Sequence, residues 1–292
     1  MSGWKMFAFT GGCKDVKAES NGAPGEQPVG LVYRGPFARY VAIGDSTTEG
    51  LDDPDGLGAY RGWANRFAEA VAAQQGALLY ANLAVRGLKT RAILEGQLER
   101  ALQMKPDLST VVSGTNDVLR PRFDVNAYQR DVEYMQRALI AQGATVLTFT
   151  LPDLSSVNAS AAMARARVAS MNAALREVSL DTGTIVVDLA RHTLAGDKRL
   201  WSVDRLHANA LGHARIAAAL ADAIQLPGSD ASWSIPLERS VPISARDQWG
   251  EHWYWTRQFF FPWLVRRLRG RSSSDGVQCK RPELTPVVQV ES

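Results

Sequence analysis

The chain has 292 residues, of which 46% are hydrophobic and 22% are charged, a composition that is ordinary for a soluble globular protein with a sizeable core. Its 33 basic and 30 acidic residues leave a net charge of +3, which by itself implies no particular partner. Only two cysteines occur, near opposite ends, so a disulfide scaffold is excluded, and the spacing of Cys and His indicates no zinc site.

Residues 1–36 are predicted to form a loosely ordered arm, because positions 11–36 are rich in Gly, Pro and polar residues and show no structural period. The apolar stretch near the start of the chain is only five residues long, shorter than a secretory signal needs. The adjacent "TGGC" is a weak match to a lipoprotein cleavage site and is kept as the lesser alternative. We therefore expect a cytoplasmic protein.

Residues 37–228 alternate between short β-branched runs and stretches with helical spacing of apolar residues. The runs predicted as strands are "RYVAIG", "ALLYANLA", "DLSTVVSG", "ATVLTFT" and "GTIVVDLA". The stretches predicted as helices are "GWANRFAEAVAAQQG", "TRAILEGQLERALQMKP", "DVNAYQRDVEYMQRALIAQG", residues 158–180 and "NALGHARIAAALADAI". This alternation predicts an α/β fold, in which a five-stranded parallel sheet is covered by helices on both faces.

Polar residues follow the predicted strands where ligands bind in an open parallel sheet, outside the carboxyl ends. Ser46 follows the first strand, Gly87 the second and Asn116 the third. Asp204 and His207 lie between the fifth strand and the last helix. A serine hydroxyl needs a base, an imidazole can be that base, and a carboxylate can hold the imidazole in one tautomer. The amides of Ser46 and Gly87 and the Asn116 carboxamide could stabilise an oxyanion.

Four sequence blocks in this order, "GDST", "NLAVRG", "GTND" and "DRLH", resemble the signatures of the SGNH hydrolase family, also called GDSL esterases and lipases. The resemblance covers roughly residues 39–225. It implies a three-layer α/β/α sandwich of flavodoxin-like type, with Ser46 as nucleophile and Asp204 and His207 as the other members of a triad. It also implies Ser46, Gly87 and Asn116 as the oxyanion hole. A nucleophile elbow of the Gly-x-Ser-x-Gly type is excluded, because position 48 is Thr48.

Structural explanations exist for each of these residues. Ser46 could cap a helix, Gly87 could serve a tight turn and Asn116 could be a plain turn residue. Asp45 is expected to hold its loop and is left out of the catalytic set. The order of the four blocks favours the catalytic interpretation.

Residues 229–292 are predicted to form an aromatic and basic extension that ends in disordered chain. Between positions 257 and 281 there are seven basic residues and one acid. The aromatic residues precede or overlap the Arg cluster: Trp253, Trp255, Phe259, Phe260 and Trp263. They are expected to pack back on the domain as a lid or brace, and peripheral membrane contact is the alternative. Nucleic-acid binding is not expected, because it would need basic residues spread over a surface and a single basic cluster in the tail is weak support.

We therefore predict a serine ester hydrolase that acts on a small-molecule ester through an acyl-enzyme, with no cofactor and no metal. The first alternative is an acyltransferase or deacetylase acting on sugars or lipids. The second is a membrane-surface interaction protein built on the same scaffold. Acyl-chain length is left open.

Overall fold

A computed structural model of the chain describes residues 33, 35–56, 58–157, 159–238, 250, 253–254, 257–258 and 276–287. Within these residues one sheet carries six strands in the order β5-β4-β3-β1-β2-β6. The strands are β1 (Arg39–Gly44), β2 (Leu79–Asn82), β3 (Leu108–Val112), β4 (Thr145–Phe149), β5 (Ile185–Val187) and β6 (Arg281–Pro286). The first five are parallel, and β6 pairs antiparallel with β2.

In the described part of the chain, five longer α-helices and two single-turn α-helices accompany these strands. They are α1 (Ser46–Glu49), α2 (Gly62–Gln75), α3 (Thr90–Gln103), α4 (Thr115–Val118), α5 (Val125–Ala141), α6 (Arg165–Thr182) and α7 (Ala210–Ala223). The longer helices α2, α3, α5, α6 and α7 correspond to the five that the apolar periodicity predicts. The predicted start of α6 is wrong by several residues, because a 3-10 helix over Ala159–Ala164 precedes it.

Each face of the sheet is covered by its own set of helices. The side chains of β1 alternate, so that Tyr40 and Ala42 pack with α2 and α7, while Val41 and Ile43 pack with α3, α5 and α6. All four of these side chains are fully buried. The predicted three-layer α/β/α sandwich is therefore confirmed, and β1 lies at its centre.

The predicted number of strands is wrong: the sheet has six strands, whereas the sequence analysis predicts five. Residues 281–286 fall within the predicted disordered end and instead form β6 along the outer edge of β2. β6 contains Pro282 and Pro286, which lack a backbone donor and are tolerated at an edge. A polar, Pro-containing segment has no strand period of its own, so this pairing depends on the open edge that β2 presents.

Two further predictions fall largely outside the described residues. All of the N-terminal arm up to residue 32, and residue 34, lie outside them. So do Trp255, Phe259, Phe260, Trp263 and most of the Arg cluster. Of the five aromatic residues named for the extension, Trp253 alone is described, and its side chain is exposed.

Candidate active site

Ser46 lies at the carboxyl end of β1, as the first residue of α1. Asp45 caps this short helix, since its Oδ1 accepts a hydrogen bond of 3.0 Å from the amide of Thr47. Gly44 precedes them at a crowded point: a Cβ there would lie 2.6 Å from the carbonyl oxygen of Val112 on β3. The chain can therefore turn sharply out of the sheet here and present the serine at its edge.

Three polar side chains meet at this point. The Oγ of Ser46 lies 2.9 Å from Nε2 of His207, and Nδ1 of the same ring lies 2.6 Å from Oδ2 of Asp204. Ser46 is 161 residues from His207 in sequence, so the fold joins two distant segments. The structure thus brings together the three residues that the sequence proposes as a triad.

The loop that carries Asp204 and His207 is held by its own backbone. Oδ1 of Asp204 accepts hydrogen bonds from the amides of Leu206 at 2.9 Å and His207 at 3.0 Å. The amide of Ser202 donates to the carbonyl of His207 at 2.9 Å, and Arg205 takes the left-handed conformation with φ of 58°. An acid three residues before a histidine can therefore reach the ring because the intervening chain forms a tight turn.

The charges around the ring favour its protonated form. Burial lowers the pKa of His207, but the hydrogen bond and charge of Asp204, with smaller contributions from Asp52 and Asp45, raise it above its usual value. Burial raises the pKa of Asp204, yet its hydrogen bond to His207 and the charge of that ring bring it well below the usual range. Asp204 is therefore ionised at neutral pH, and the His207 ring can be stabilised as an imidazolium.

Gly87 lies in the loop after β2 and has φ of 80°, a conformation that glycine adopts without steric cost. The preceding residue, Arg86, donates its own amide to Oε2 of Glu49 at 2.9 Å, and its guanidinium pairs with the same carboxylate. Glu49 follows Ser46 by one helical turn in α1. This partly buried ion pair, which the sequence reasoning missed, holds the glycine loop next to the serine.

Asn116 lies in α4, after β3, and its carboxamide has two partners within the fold. Its Nδ2 donates to Oδ2 of Asp45 at 3.2 Å and to the carbonyl oxygen of Leu88 at 3.0 Å. Burial raises the pKa of Asp45 to about 6. Asp117, which follows Asn116 in sequence, accepts hydrogen bonds from the amide and hydroxyl of Thr90 and so holds the start of α3. Asn116 is therefore linked to both the serine loop and the glycine loop.

Two other titratable residues of the domain, His213 and Asp188, have structural partners. Nδ1 of His213 accepts a hydrogen bond from the amide of Trp63, and its Nε2 donates to the carbonyl of Leu51. Burial lowers the pKa of His213 to about 4, so the ring is neutral in this role. Asp188, the other acid near the end of β5, pairs with Arg176 at 2.7 Å.

An apolar cavity opens beside the three polar side chains. Thr47 and His207 contribute to its wall. The rest of the wall is largely aliphatic and aromatic and includes Val118, Phe149, Leu151, Leu154, Ala161, Ala164, Val168, Leu189, Leu194, Leu200, Ile216 and Trp233. These walls come from loops and helices that converge through the fold, so no single stretch of the sequence predicts the cavity.

One group of described residues has the ligand types that a cation could use. Atoms of Asp52, Asp204 and His207 lie within 4.8 Å of one another. Nδ1 of His207 is already hydrogen-bonded to Asp204 at 2.6 Å, and a cation at this point would have to replace that contact. The residues therefore fit a hydrogen-bonded triad better than a metal centre. None of the helices in the described part of the chain is both long and apolar enough to cross a bilayer.

Comparison with known proteins identifies the family of the chain. Residues 42–215 match the family model described as GDSL-like Lipase/Acylhydrolase family. The fold is similar to the crystal structure of the lipase/acylhydrolase from Enterococcus faecalis, with a TM-score of 0.54 and 22% identity over 64% of this chain and 95% of that one. It is also similar to Axe2, an acetylxylan esterase from Geobacillus stearothermophilus, with a TM-score of 0.55 and 18% identity over 69% and 97%.

A search of curated proteins finds no significant match to this chain. The structural likenesses, at these low identities, bear on the fold, whereas the family model covers more than half of the sequence. The matched region contains Ser46, Gly87, Asn116, Asp204 and His207. The chain thus belongs to the GDSL-like lipase/acylhydrolase family and is an ester-cleaving hydrolase.

Proposed function

We propose that the protein cleaves carboxylic esters in two steps through an acyl-enzyme formed on Ser46. The observation that carries the proposal is the continuous hydrogen-bonded chain from Ser46 through His207 to Asp204, with distances of 2.9 and 2.6 Å. His207 takes the hydroxyl proton as Ser46 attacks the ester carbonyl, while Asp204 holds the ring and stabilises the imidazolium. His207 then protonates the departing alcohol, and water releases the acid in the second step.

Three donors are proposed to hold the oxyanion: the amides of Ser46 and Gly87 and the carboxamide of Asn116. The amide of Ser46 is the first of α1 and belongs to the group of amides that a helix leaves without an internal partner. Asn116 would have to release one of its two present acceptors, Asp45 or the Leu88 carbonyl, to donate to the oxyanion. Such donors typically lower the barrier by ~3 kcal/mol each.

The apolar cavity supports an ester of a fatty acyl group as the substrate. It begins at Thr47 and His207, so an acyl chain attached to Ser46 could enter it directly. Each methylene removed from water contributes ~0.8 kcal/mol. An acetyl group would leave most of this apolar wall uncovered, whereas a chain of medium length would contact it.

The first prediction concerns the serine. Ser46→Ala should lower kcat for a p-nitrophenyl ester by at least about 10³-fold, because the nucleophile is removed. Ser170→Ala, which alters an exposed serine on α6, is the matched control and should keep the rate. Equal turnover by the Ser46→Ala variant and the parent, with both folded by circular dichroism, would rule out the proposed nucleophile.

The second prediction concerns the acyl group. Across p-nitrophenyl esters from acetate to palmitate, kcat/KM should rise from acetate to a medium chain, because apolar contact with the cavity increases. Ala161→Phe should place a ring in the cavity and lower the ratio of octanoate to acetate kcat/KM by ~10-fold, which corresponds to the loss of about two methylene contacts. A ratio that is unchanged in this variant would show that the acyl chain binds elsewhere.

Two alternatives have less support. An acyltransferase would need an acceptor before it released product, and the family match favours hydrolysis; release of free acid without any added acceptor separates the two. A membrane-surface role would depend on the aromatic segment around Trp253, whose side chain is exposed. Vesicle binding that survives Ser46→Ala and is lost with residues 253–269 would support that role.

A further inference from the structure

Asp52 adopts a backbone conformation that its neighbours impose. Its φ is 67°, in the left-handed region that costs a residue with a Cβ roughly 1–2 kcal/mol. On one side, the carbonyl of Leu51 accepts a hydrogen bond of 2.9 Å from His213. On the other side, Asp53 binds the guanidinium of Arg66 through both of its oxygens, at 2.8 and 2.9 Å. The direction of the Asp52 side chain is therefore set by two anchored residues.

The Asp52 carboxylate points to the loop that carries Asp204. Oδ2 of Asp52 lies 2.7 Å from Oγ of Ser202, and Oγ of Ser202 lies 2.6 Å from Oδ1 of Asp204. A hydroxyl has one hydrogen and can donate it to only one carboxylate at a time. Ser202 thus joins the two acids into one network, and only one of the two carboxylates accepts its hydrogen at a time.

The same carboxylate lies close to the histidine ring. Oδ2 of Asp52 is 3.8 Å from Nδ1 of His207, just beyond the 2.6 Å contact of Asp204. The other charged or titratable groups that act on this ring are Asp45 and His213. Asp52 is 39% exposed, so water and salt screen its charge more than that of Asp204.

We propose that Asp52 is a positioning residue for the triad: through Ser202 it steadies Asp204, and it places a second negative charge beside His207. This inference rests on the proposed function, because it assigns Asp52 a role only if His207 acts as the base. The second charge stabilises the imidazolium that forms when Ser46 attacks. Its exposed position makes the contribution of Asp52 more sensitive to ionic strength than that of the more buried Asp204.

The test replaces Asp52 by residues that tolerate its backbone conformation. Asp52→Asn and Asp52→Gly both suit a positive φ, so both variants should fold with an unchanged or higher Tm. The titration midpoint of the His207 ring, followed by NMR in the protein without substrate, should fall by about half a pH unit in each variant. This shift should shrink at 1 M salt, where the screening length is about 3 Å.

Activity supplies the second readout. In the two variants the acidic limb of the pH profile of kcat/KM should move to lower pH by the same amount. On the plateau of the pH profile, kcat should fall ~3-fold or more, because the imidazolium loses a stabilising charge. Asp52→Glu keeps the negative charge, so its pH profile and its kcat should lie closer to those of the parent than the values of the Asn and Gly variants do. Asp55→Asn, in the same loop, is the matched control and should move neither the limb nor the midpoint.

The outcomes separate this inference from the proposed function. If the parent protein cleaves esters and Ser46→Ala abolishes the activity, yet the two Asp52 variants keep the parent's ring midpoint and limb, Asp52 has no role beside His207. A loss of Tm with an unmoved midpoint would overturn the inference as well, since Asp52 would then only hold its loop. If no ester is cleaved at all, the NMR titration still tests the contact between Asp52 and His207 in the folded protein.

Discussion

At the scale of single residues, the Asp204 carboxylate is the group that sets the properties of the site. One of its oxygens accepts two backbone amides and the other faces the His207 ring at 2.6 Å. Hydrogen bonds to the charged form favour that form, which is why the pKa of Asp204 lies well below its usual range. A carboxylate held in this way keeps its charge at every pH where the enzyme is expected to act.

This arrangement predicts how the rate depends on pH. In the proposed mechanism His207 must be neutral to accept the proton of Ser46, and its pKa is raised above the ordinary value of 6.5. The rate should therefore fall as pH decreases through a midpoint above 6.5. Asp204→Asn removes the charge that raises this pKa, so the midpoint should move to lower pH, and kcat should drop by about 10³-fold or more because the ring loses its orientation. A pH series of kcat/KM for both proteins measures the shift.

The control for this series is Asp181→Asn, which removes an exposed acid from the last turn of α6. It changes the net charge by the same amount at a surface position and should leave the midpoint and kcat in place. An Asp204→Asn variant that keeps both the parent's midpoint and its kcat would exclude Asp204 as the residue that orients the ring.

At the scale of elements, β6 connects the far end of the chain to the loop beside the active site. Lys280 immediately precedes β6, and its Nζ donates to the carbonyls of Tyr60 at 2.7 Å and Arg61 at 2.9 Å. The guanidinium of Arg86 lies 5.3 Å from the centre of the Tyr60 ring, and Arg86 in turn binds Glu49 in α1. The residue before the edge strand thus holds the backbone at Tyr60 and Arg61, and the Tyr60 ring in turn lies near Arg86 of the glycine loop.

Lys280 makes the stability of the protein depend on pH in a particular direction. Burial lowers its pKa from 10.5 to about 8. Below pH 8 the lysine is charged in both the folded and the unfolded chain, and burying that charge is unfavourable. Between pH 8 and 10.5 the unfolded chain binds more protons than the folded one, so the free energy of unfolding rises with pH.

The expected result is a pH-dependent difference between the parent and Lys280→Met. As the pH rises from 8 to 10.5, the parent should gain up to ~3 kcal/mol in unfolding free energy relative to the variant, because it releases the buried charge. Urea unfolding at several pH values measures this difference. Lys198→Met, at an exposed position, is the control and should show a constant offset. A constant offset for Lys280→Met as well would mean that its ammonium group is not desolvated.

At the scale of the whole molecule, the site forms because parallel strands end at a common edge. Ser46 follows β1, Gly87 follows β2 and Asn116 follows β3, and these strands are neighbours in the sheet. Asp204 and His207 lie between β5 and α7, and the tight turn of their loop directs the Asp204 carboxylate to the His207 ring and the ring to Ser46. The apolar cavity fills the space between this loop and the segments that follow β4 and β5.

Much of the fold and of the candidate site could be predicted from the sequence, because the patterns that indicate strands, helices and turns are local. A buried parallel strand reads as a short β-branched run, as in "RYVAIG", and helices end at glycine, as α2 does at Gly76, which has φ of 86°. The turn that links Asp204 to His207 spans only three residues. The order of strands, helices and polar turns therefore follows from hydrophobic period and turn chemistry, whereas the candidate set of five site residues also rests on the four blocks that resemble the family signatures.

Other features were decided only when the chain folded. β6 pairs with a strand about 200 residues earlier, and its own residues have no strand period. Asp52 meets Ser202 across 150 residues, and Arg86 meets Glu49 across 37. Local period and turn chemistry report on neighbours along the chain, whereas edge pairing, charge networks and cavities depend on which distant surfaces come into contact. For that reason the polar residues at the strand ends could be predicted from the sequence, whereas the contacts that hold the candidate site and form its cavity were decided only by the tertiary structure.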